Sequence, residues 1–261
     1  MQLKIYQVDA FSERIFGGNP AAVVPLEEWL DDAVLQKIAL ENNLSETAFY
    51  VKKGEEYQLR WFTPATEVDL CGHATLATAH VLFAHEGHKT SQIVFFSPRS
   101  GQLLVDKKNG QYVLDFPVDT VDEISLSDSL LEIFEPKPIE AFQGKSDIVL
   151  VFQNESQISE LAFDLSKIEK VPVRGIVATA PGSTVDFVSR WFGPQVGVPE
   201  DPVTGSAHTT LTPIWAKKLG KKELNAIQLS PRQGELTCQL IGDRVLIAGR
   251  AVTYLKGEIF I

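Results

Sequence analysis

RWFTPATEVDLCGHATLATAHVL, residues 60–82, has a counterpart in RWFGPQVGVPEDPVTGSAHTTLT, residues 190–212. The first five residues of the two stretches lie 130 positions apart and differ at one position. Three additional residues in the second stretch then change the offset to 133, which places Gly205 on Gly72. Matches that keep their order at a nearly constant offset indicate an internal duplication.

Further matches on both sides extend the duplication along the chain. SPRSGQL at residues 97–103 aligns with SPRQGEL at residues 230–236. Upstream of the two quoted stretches, VDAF at residues 8–11 resembles IEAF at residues 139–142. The whole chain is therefore predicted to consist of two copies of one unit.

The two predicted lobes, residues 1–118 and 119–261, have the sequence patterns of an α+β fold. Short alternating segments rich in β-branched and aromatic residues predict strands. LDDAVLQKIALENN, residues 30–43, has the periodicity and the acidic first turn of an amphipathic helix. The small and apolar residues that follow Gly72 predict a buried helix. Each lobe should be a mostly antiparallel sheet wrapped around a central helix, and a pseudo-twofold axis should relate the lobes.

Composition limits the partners and the compartment. The chain of 261 residues has a formal net charge of −10, which argues against nucleic acid and anionic membrane as partners. Cys71 and Cys238 are too few and too far apart for a disulfide scaffold. The sequence shows no signal peptide and no apolar run long enough to cross a bilayer. We therefore expect a cytoplasmic protein that acts on a small molecule.

The two predicted central helices begin with related motifs, LCGHATLATA and VTGSAHTTLT. The first N–H groups of a helix lack internal partners, and the helix dipole adds positive potential there. Two such ends at a cleft between the lobes would hold a carboxylate or phosphate, with Gly72 and Gly205 allowing close approach. The alternative is that the glycines and their polar neighbours serve only as helix caps.

The positions where the two copies differ suggest an acid/base site. Glu46 aligns with Ile176, and Cys71 aligns with Thr204. Asp201 lies in the insertion that precedes the second helix motif. Each of these side chains also has a purely structural interpretation, such as a turn or a cap. Together they predict an acid/base site that is built on carboxylates and formed by residues that differ between the two copies.

Several other chemistries have no support in the sequence. His80, His85 and His88 are not spaced like zinc ligands, and we expect no metal site. Cys71 could be a nucleophile at a helix start, but the matching position is Thr204 and not a second cysteine. The motifs of nicotinamide, ATP and lipase-type sites are absent.

Four motifs carry a resemblance to a known family, the phenazine biosynthesis PhzF-like proteins. These motifs are GNPAAVV (18–24), NLSETAF (43–49), FTPATEVDLCGHATLATAHVL (62–82) and EDPVTGSAH (200–208). The resemblance extends from the first strand to the last. It implies the two-lobed diaminopimelate epimerase-like fold. It also implies an isomerase of a dihydro-3-hydroxyanthranilate-like compound that needs no metal and no organic cofactor.

The resemblance also assigns roles to individual residues and suggests a homodimer. The family's catalytic Glu in the S-E-T motif corresponds to Glu46, and the site His and Asp correspond to His73 and Asp201. The substrate-binding residues that it implies are Asn19, Gly72, His73, Gly205 and Ser206. The related epimerases use a Cys in each lobe, so Thr204 opposite Cys71 argues against epimerase and proline racemase activity.

Three functions remain open on the sequence alone. In the first, Glu46 removes a proton from one carbon of a small unsaturated carboxylate and returns it to another. In the second, Glu46 and Cys71 act as unlike bases of an epimerase or racemase of a small amino or hydroxy acid. In the third, the cleft binds a small carboxylate without turning it over.

Overall fold

In the computed structural model, which describes residues 1–261, the chain folds into two compact units. The first unit comprises Met1–Asp115 together with Ala248–Ile261, and the second comprises Phe116–Ile247. The predicted lobe boundary after residue 118 therefore lies close to the observed one. The contiguous second lobe, residues 119–261, differs from the structure because the last strand belongs to the first unit.

The first unit contains two helices, α1 (Asp32–Asn42) and α2 (Gly72–Ala84). Its first eight strands are β1 (Gln2–Ala10), β2 (Asn19–Leu26), β3 (Glu46–Lys53), β4 (Glu56–Phe62), β5 (Glu67–Val68), β6 (Gln92–Ser97), β7 (Gly101–Lys108) and β8 (Gln111–Pro117). Along the sheet, β1 and β2 pair antiparallel, β2 and β3 parallel, and β3 and β4 antiparallel. β4 then pairs antiparallel with β5 and parallel with β6, which pairs antiparallel with β7.

The second unit contains one long helix and three short ones: α3 (Asp128–Leu131), α4 (Glu155–Ser159), α5 (Leu165–Ile168) and α6 (Ala207–Leu219). Its strands are β9 (Asp122–Ile124), β10 (Phe134–Glu135), β11 (Glu140–Gln143), β12 (Asp147–Val151), β13 (Ala162–Phe163), β14 (Gly175–Pro181), β15 (Phe187–Gly193), β16 (Val198–Asp201), β17 (Glu223–Gln228), β18 (Gly234–Ile241) and β19 (Arg244–Gly249).

The same strand-pairing scheme occurs in both units. β11 and β12 pair antiparallel, β12 and β14 parallel, and β14 and β15 antiparallel. β15 then pairs antiparallel with β16 and parallel with β17, which pairs antiparallel with β18. Each parallel step in the scheme is bridged by helix, as parallel neighbours require a crossover. The predicted α+β fold with an internal duplication is confirmed.

The carboxy-terminal strand explains why the first unit is discontinuous. β20 (Ala251–Phe260) pairs antiparallel with β1 over almost its whole length, with one irregularity between Gln7 and Val8. This pairing gives β1 a partner on each side, because its other edge pairs with β2. An unpaired edge at β1 would expose a row of free N–H and C=O groups.

Helix α2 is buried, as the small-residue pattern predicts. Ala74, Ala77 and Ala79 are fully buried, and so are Leu76 and Val81. The small side chains let the surrounding strands approach the helix backbone closely. None of the helices in the structure combines the length and the apolar character needed to span a membrane.

The duplicated R-W-F motif has a structural function that the sequence analysis missed. Arg60 forms a two-pronged ion pair with Glu67, with N–O distances of 2.7 and 2.9 Å. Arg190 pairs with Glu200 in the same way, at 2.7 and 2.9 Å. Bidentate pairs of this kind are strong and geometrically specific. We call these pairs the two clamps.

Each clamp fixes the segment that leads into a central helix. Glu67 lies five positions before Gly72, and Glu200 lies five positions before Gly205. Each arginine also stacks on aromatic rings, and in the second unit the Arg190 guanidinium lies over two phenylalanine rings at 5.3 and 5.2 Å.

A signal for the clamps existed in the sequence, because the arginines align at an offset of 130 and the glutamates at an offset of 133. The three additional residues therefore precede Glu200, and the prediction that Asp201 lies in the insertion is wrong: Asp201 corresponds to Val68, and each pairs with the tryptophan of its motif.

One buried residue predicts how stability depends on pH. His208 in α6 is fully buried, its Nδ1 donates to the Thr204 carbonyl at 2.9 Å, and burial lowers its pKa to about 4. An unfolded histidine titrates near 6.5, so between about pH 6.5 and 4 the unfolded chain binds more protons than the folded one. The free energy of unfolding should therefore fall as the pH falls through this window, by on the order of 3 kcal/mol for this group.

Thr75 occupies the position equivalent to His208 and donates to the Cys71 carbonyl at 2.6 Å, which makes His208→Thr a suitable variant. Urea unfolding at pH 7, 5.5 and 4.5 should show a smaller loss of stability on acidification in His208→Thr than in wild type. Equal slopes for the two proteins would contradict the contribution of His208.

Candidate active site

Three predicted site residues meet in the first unit because each begins, or nearly begins, an element of that unit. Asn19 is the first residue of β2, Glu46 is the first residue of β3, and His73 is the second residue of α2. β2 and β3 pair in parallel, so that their first residues lie at the same edge of the sheet. The starts of these three elements therefore bring a carboxylate, an amide and an imidazole together.

The imidazole of His73 is the centre of this group. Its Nε2 lies 3.1 Å from Oε2 of Glu46. Its Nδ1 lies 3.3 Å from the side-chain amide of Asn19 and 3.4 Å from Sγ of Cys71. The ring is 5% exposed, so the group forms within the protein and not on its surface.

The contact between Glu46 and His73 is close, but it is not aligned as a hydrogen bond. Oε2 of Glu46 and Nε2 of His73 are both buried and neither has a hydrogen-bond partner. Buried polar atoms without partners are rare in proteins, and they call for an explanation. A pair of such atoms on a carboxylate and an imidazole is suited to proton transfer with a small molecule.

The electrostatics of the group favour a charged imidazole beside the carboxylate. Burial lowers the pKa of His73, but its neighbours, Cys71 first and then Glu46, raise it more, so that it lies well above its usual value. Burial first, and then the Glu46 carboxylate, raises the pKa of the Cys71 thiol to about 11. Cys71 is therefore a neutral thiol at pH 7.

The same three side chains could in principle ligate a metal ion. The thiol of Cys71, a nitrogen of His73 and an oxygen of Glu46 lie within 4.8 Å of one another. Cys71 and Glu46 contact different nitrogens of the ring, however, whereas an ion binds only one of them. This geometry does not suit one ion held by all three groups.

In the second unit, Asp201 ends β16 and is held by the loop that follows. The hydroxyl of Thr204 donates to the Asp201 carboxylate. Gln228, in β17, donates to the Asp201 carbonyl at 2.7 Å and accepts from the Thr204 N–H at 2.8 Å. Thr204 occupies the position of Cys71, so the second unit uses this position to hold a carboxylate. The sequence analysis did not identify Gln228.

Neither central helix begins with a side-chain cap. The side chains of Cys71 and Ser206, which precede α2 and α6, accept no hydrogen bond from the helix. The side chains of Cys71 and Ser206 therefore form no helix caps. Capping was the alternative to anion binding for these two motifs. At α6 the backbone turns tightly, with the His208 N–H donating to the Gly205 carbonyl at 3.0 Å. Ser206 instead accepts a hydrogen bond from Arg174 at 3.0 Å.

The remaining histidines of α2 and its C-terminal end contact hydroxyl groups. Nε2 of His80 and Nε2 of His85 lie 2.8 and 2.7 Å from the Thr253 hydroxyl. Nδ1 of His88 lies 3.2 Å from the Tyr57 hydroxyl. These contacts support the interpretation of the three histidines as structural residues.

Comparison with known proteins places the chain in a family. Residues 8–257 match the family described as "Phenazine biosynthesis-like protein". An uncharacterized isomerase of Pseudomonas aeruginosa is 50% identical over 259 residues, which is 99% of each chain. An uncharacterized isomerase of Halalkalibacterium halodurans is 42% identical over 264 residues, with full coverage of both chains. The crystal structure of a PhzF-family phenazine biosynthesis protein from Enterococcus faecalis has a TM-score of 0.97, at 47% identity and full coverage of both chains.

More distant structures share the fold alone. A hydroxyproline epimerase from Agrobacterium vitis has a TM-score of 0.62 at 9% identity, covering 99% of this chain and 92% of its own. This likeness extends the predicted diaminopimelate epimerase-like fold beyond the immediate relatives. The matches over nearly the whole chain establish that the protein belongs to the phenazine biosynthesis-like (PhzF) family of isomerases.

Proposed function

We propose that the protein is a cofactor-independent isomerase that moves a proton between two carbons of a small unsaturated carboxylate, with Glu46 as the proton carrier. The observation that carries the proposal is the buried contact of 3.1 Å between Glu46 and His73, in which neither facing atom has a hydrogen-bond partner. A carboxylate has more acceptor positions than this one contact engages, so that Glu46 can still accept a carbon-bound proton.

The proposed reaction leaves the protonation state of the protein unchanged after each turnover. Glu46 accepts a proton from a carbon next to the unsaturated system, and the electron pair left behind delocalises toward the substrate's acceptor groups. Glu46 then returns the proton to a different carbon, which shifts the double bond. The positive His73 stabilises the negative charge of the electron-rich intermediate.

The other predicted residues have binding roles in this proposal. Gly72, His73, Gly205 and Ser206 are proposed to hold the carboxylate and the polar groups of the substrate from the starts of α2 and α6. Asp201 is proposed to orient a hydroxyl or amino group. A dihydro-3-hydroxyanthranilate-like compound has these groups, and the resemblance to the phenazine biosynthesis-like family suggests this substrate class.

Epimerase chemistry is the second candidate, since Cys71 lies near Glu46. Two bases that invert a carbon stand on its opposite faces, each about 3 Å from it, so roughly 6 Å must separate them. The thiol of Cys71 and the carboxylate of Glu46 lie within 4.8 Å of each other. The raised pKa of the thiol also opposes its action as a base. Both observations favour the isomerase.

The experiment that tests the proposal is incubation of the wild-type enzyme with dihydro-3-hydroxyanthranilate in D₂O, followed by proton NMR. We expect a shifted double bond and at most one solvent deuterium, at the carbon that receives the proton. Inversion of one stereocentre without a double-bond shift, lost in Cys71→Ser, would establish epimerisation instead. Ligand-induced stabilisation without any product would identify a binding protein.

A further inference from the structure

We infer that Arg174 is a positioning residue that acts through Ser206, by holding its hydroxyl as a donor toward an anionic oxygen of the substrate. The inference rests on the proposed function, in which Ser206 binds substrate. It narrows the substrate class to compounds that place a carboxylate or enolate oxygen, and not an amine, against Ser206.

The hydrogen bond between the two residues has only one possible direction. Guanidinium groups donate and cannot accept, so Arg174 uses the Ser206 oxygen as its acceptor, at 3.0 Å. The Ser206 oxygen accepts no N–H of α6, because no side-chain cap forms there. A serine whose oxygen is already engaged by a cation makes a better donor to a further acceptor, because hydrogen bonds in a chain polarise one another.

Two buried side chains, Asp147 and Trp191, hold the guanidinium of Arg174, whose side chain is 37% exposed. Nε of Arg174 donates to Oδ1 of Asp147 at 2.9 Å, and a second nitrogen pairs with Oδ2. Asp147 is 1% exposed and also accepts from the Trp191 indole at 3.1 Å. The guanidinium lies over the Trp191 ring at 5.5 Å. A bidentate and stacked arginine is fixed in orientation, which a lysine could not reproduce.

The neighbouring backbone is shaped to hold this tryptophan. A Cβ added at Gly175 or at Gly193 would overlap the ring of Trp191. The network therefore extends from two glycines through Trp191 and Asp147 to Arg174 and ends at Ser206. All of these residues lie in the second unit.

Comparison of the two copies shows that the fold itself does not require the network. In the first unit the strand register makes Ala21 the counterpart of Asp147 and Ser45 the counterpart of Arg174, so the ion pair is missing although the strands pair in the same scheme. Trp61 aligns with Trp191, and its buried indole N–H has no hydrogen-bond partner. The charged network is therefore specific to the second unit, where it ends at Ser206, next to the start of α6.

The test compares Arg174→Met, Arg174→Lys and Ser206→Ala, with Lys170→Met as the control. Lys170 is exposed in the same unit, and its replacement removes one positive charge. Binding of 3-hydroxyanthranilate, anthranilate, benzoate and aniline would be followed by NMR at the Ser206 amide. Activity on dihydro-3-hydroxyanthranilate would be measured in parallel, as KM and kcat separately.

We expect the carboxylates, and not aniline, to bind wild type and Lys170→Met alike. Arg174→Met and Ser206→Ala should each weaken binding about tenfold, and the double variant should lose little more, because both act through one contact. Arg174→Lys should rescue only in part. A merely structural Arg174 would lower the melting temperature and leave these affinities unchanged, which would overturn the inference.

Two further outcomes separate this inference from the proposed function. If none of the carboxylates binds near Ser206 in wild type, the inference is wrong. If they bind in an Arg174-dependent way while dihydro-3-hydroxyanthranilate is not isomerised, the inference holds and the proposed reaction fails. If the inference and the proposed function are both correct, Arg174→Met should raise KM and leave kcat nearly unchanged.

Discussion

Replacement of Glu46 by Gln is expected to lower kcat for isomerisation by a factor on the order of 10² to 10⁴, the usual contribution of a positioned general base. Gln has nearly the shape of Glu but cannot accept a proton from carbon. Its amide can still contact Nε2 of His73, which lies 3.1 Å from the carboxylate in the wild type. The measurement is turnover of dihydro-3-hydroxyanthranilate, with binding of 3-hydroxyanthranilate as the second readout.

A control variant and a binding measurement distinguish a loss of catalysis from a loss of folded structure. Glu56 is an exposed first residue of β4, as Glu46 is the first residue of β3, so Glu56→Gln is the matched control and should retain wild-type turnover. Binding of the unreactive analogue should change by no more than a few fold in Glu46→Gln. Turnover above a tenth of the wild-type rate in this variant would place the proton carrier elsewhere, with His73 as the next candidate.

The duplication made much of the fold predictable from the sequence. Two stretches with matching residues at an offset of 130 to 133 must form the same local structure, and the strand pairing is the same in both units. The last strand was assigned to the wrong unit because its pairing with β1 joins the two ends of the chain. Such a contact depends on which sheet edge is left open, and no local pattern records this.

The site was partly predictable for the opposite reason, since its residues occur where the copies differ. Glu46 stood out because an offset of 130 aligns it with Ile176, and the structure places it against His73. The strand register makes Gly175 its counterpart, which also has no carboxylate. Gln228 and Arg174 were missed because their contacts join distant segments. Gln228 reaches Thr204 across 24 positions, and Arg174 reaches Ser206 across 32. These partners follow from strand register, which the sequence does not specify residue by residue.

The comparison of the two units also separates residues of the frame from residues of the site. The clamps occur in both units with nearly identical distances, as expected of groups that the fold needs. The Glu46–His73 pair occurs only in the first unit, and the Asp147–Arg174–Ser206 network occurs only in the second. Variants of the clamps should therefore change stability, whereas variants of the unique groups should change binding or turnover.

Loss of one clamp residue is expected to produce the largest change in stability, and Glu200→Gln is the most direct case. The side chains of Arg190 and Glu200 are only 10% and 16% exposed, so removal of the carboxylate leaves a largely buried guanidinium without its counter-ion. Breaking one side of a buried ion pair typically costs 3–5 kcal/mol, and we expect about 3 kcal/mol here because of the residual exposure. Urea unfolding measures this loss directly.

The double variant Arg190→Met, Glu200→Leu shows whether the loss comes from the unpaired charge. Apolar side chains of similar volume against Phe163 and Phe192 should restore most of the stability, because no buried charge remains. Lys108→Gln, which breaks an exposed pair with Asp106, should cost less than about 1 kcal/mol. A double variant as unstable as Glu200→Gln would mean that the clamp geometry itself, and not charge compensation, holds the segment before α6.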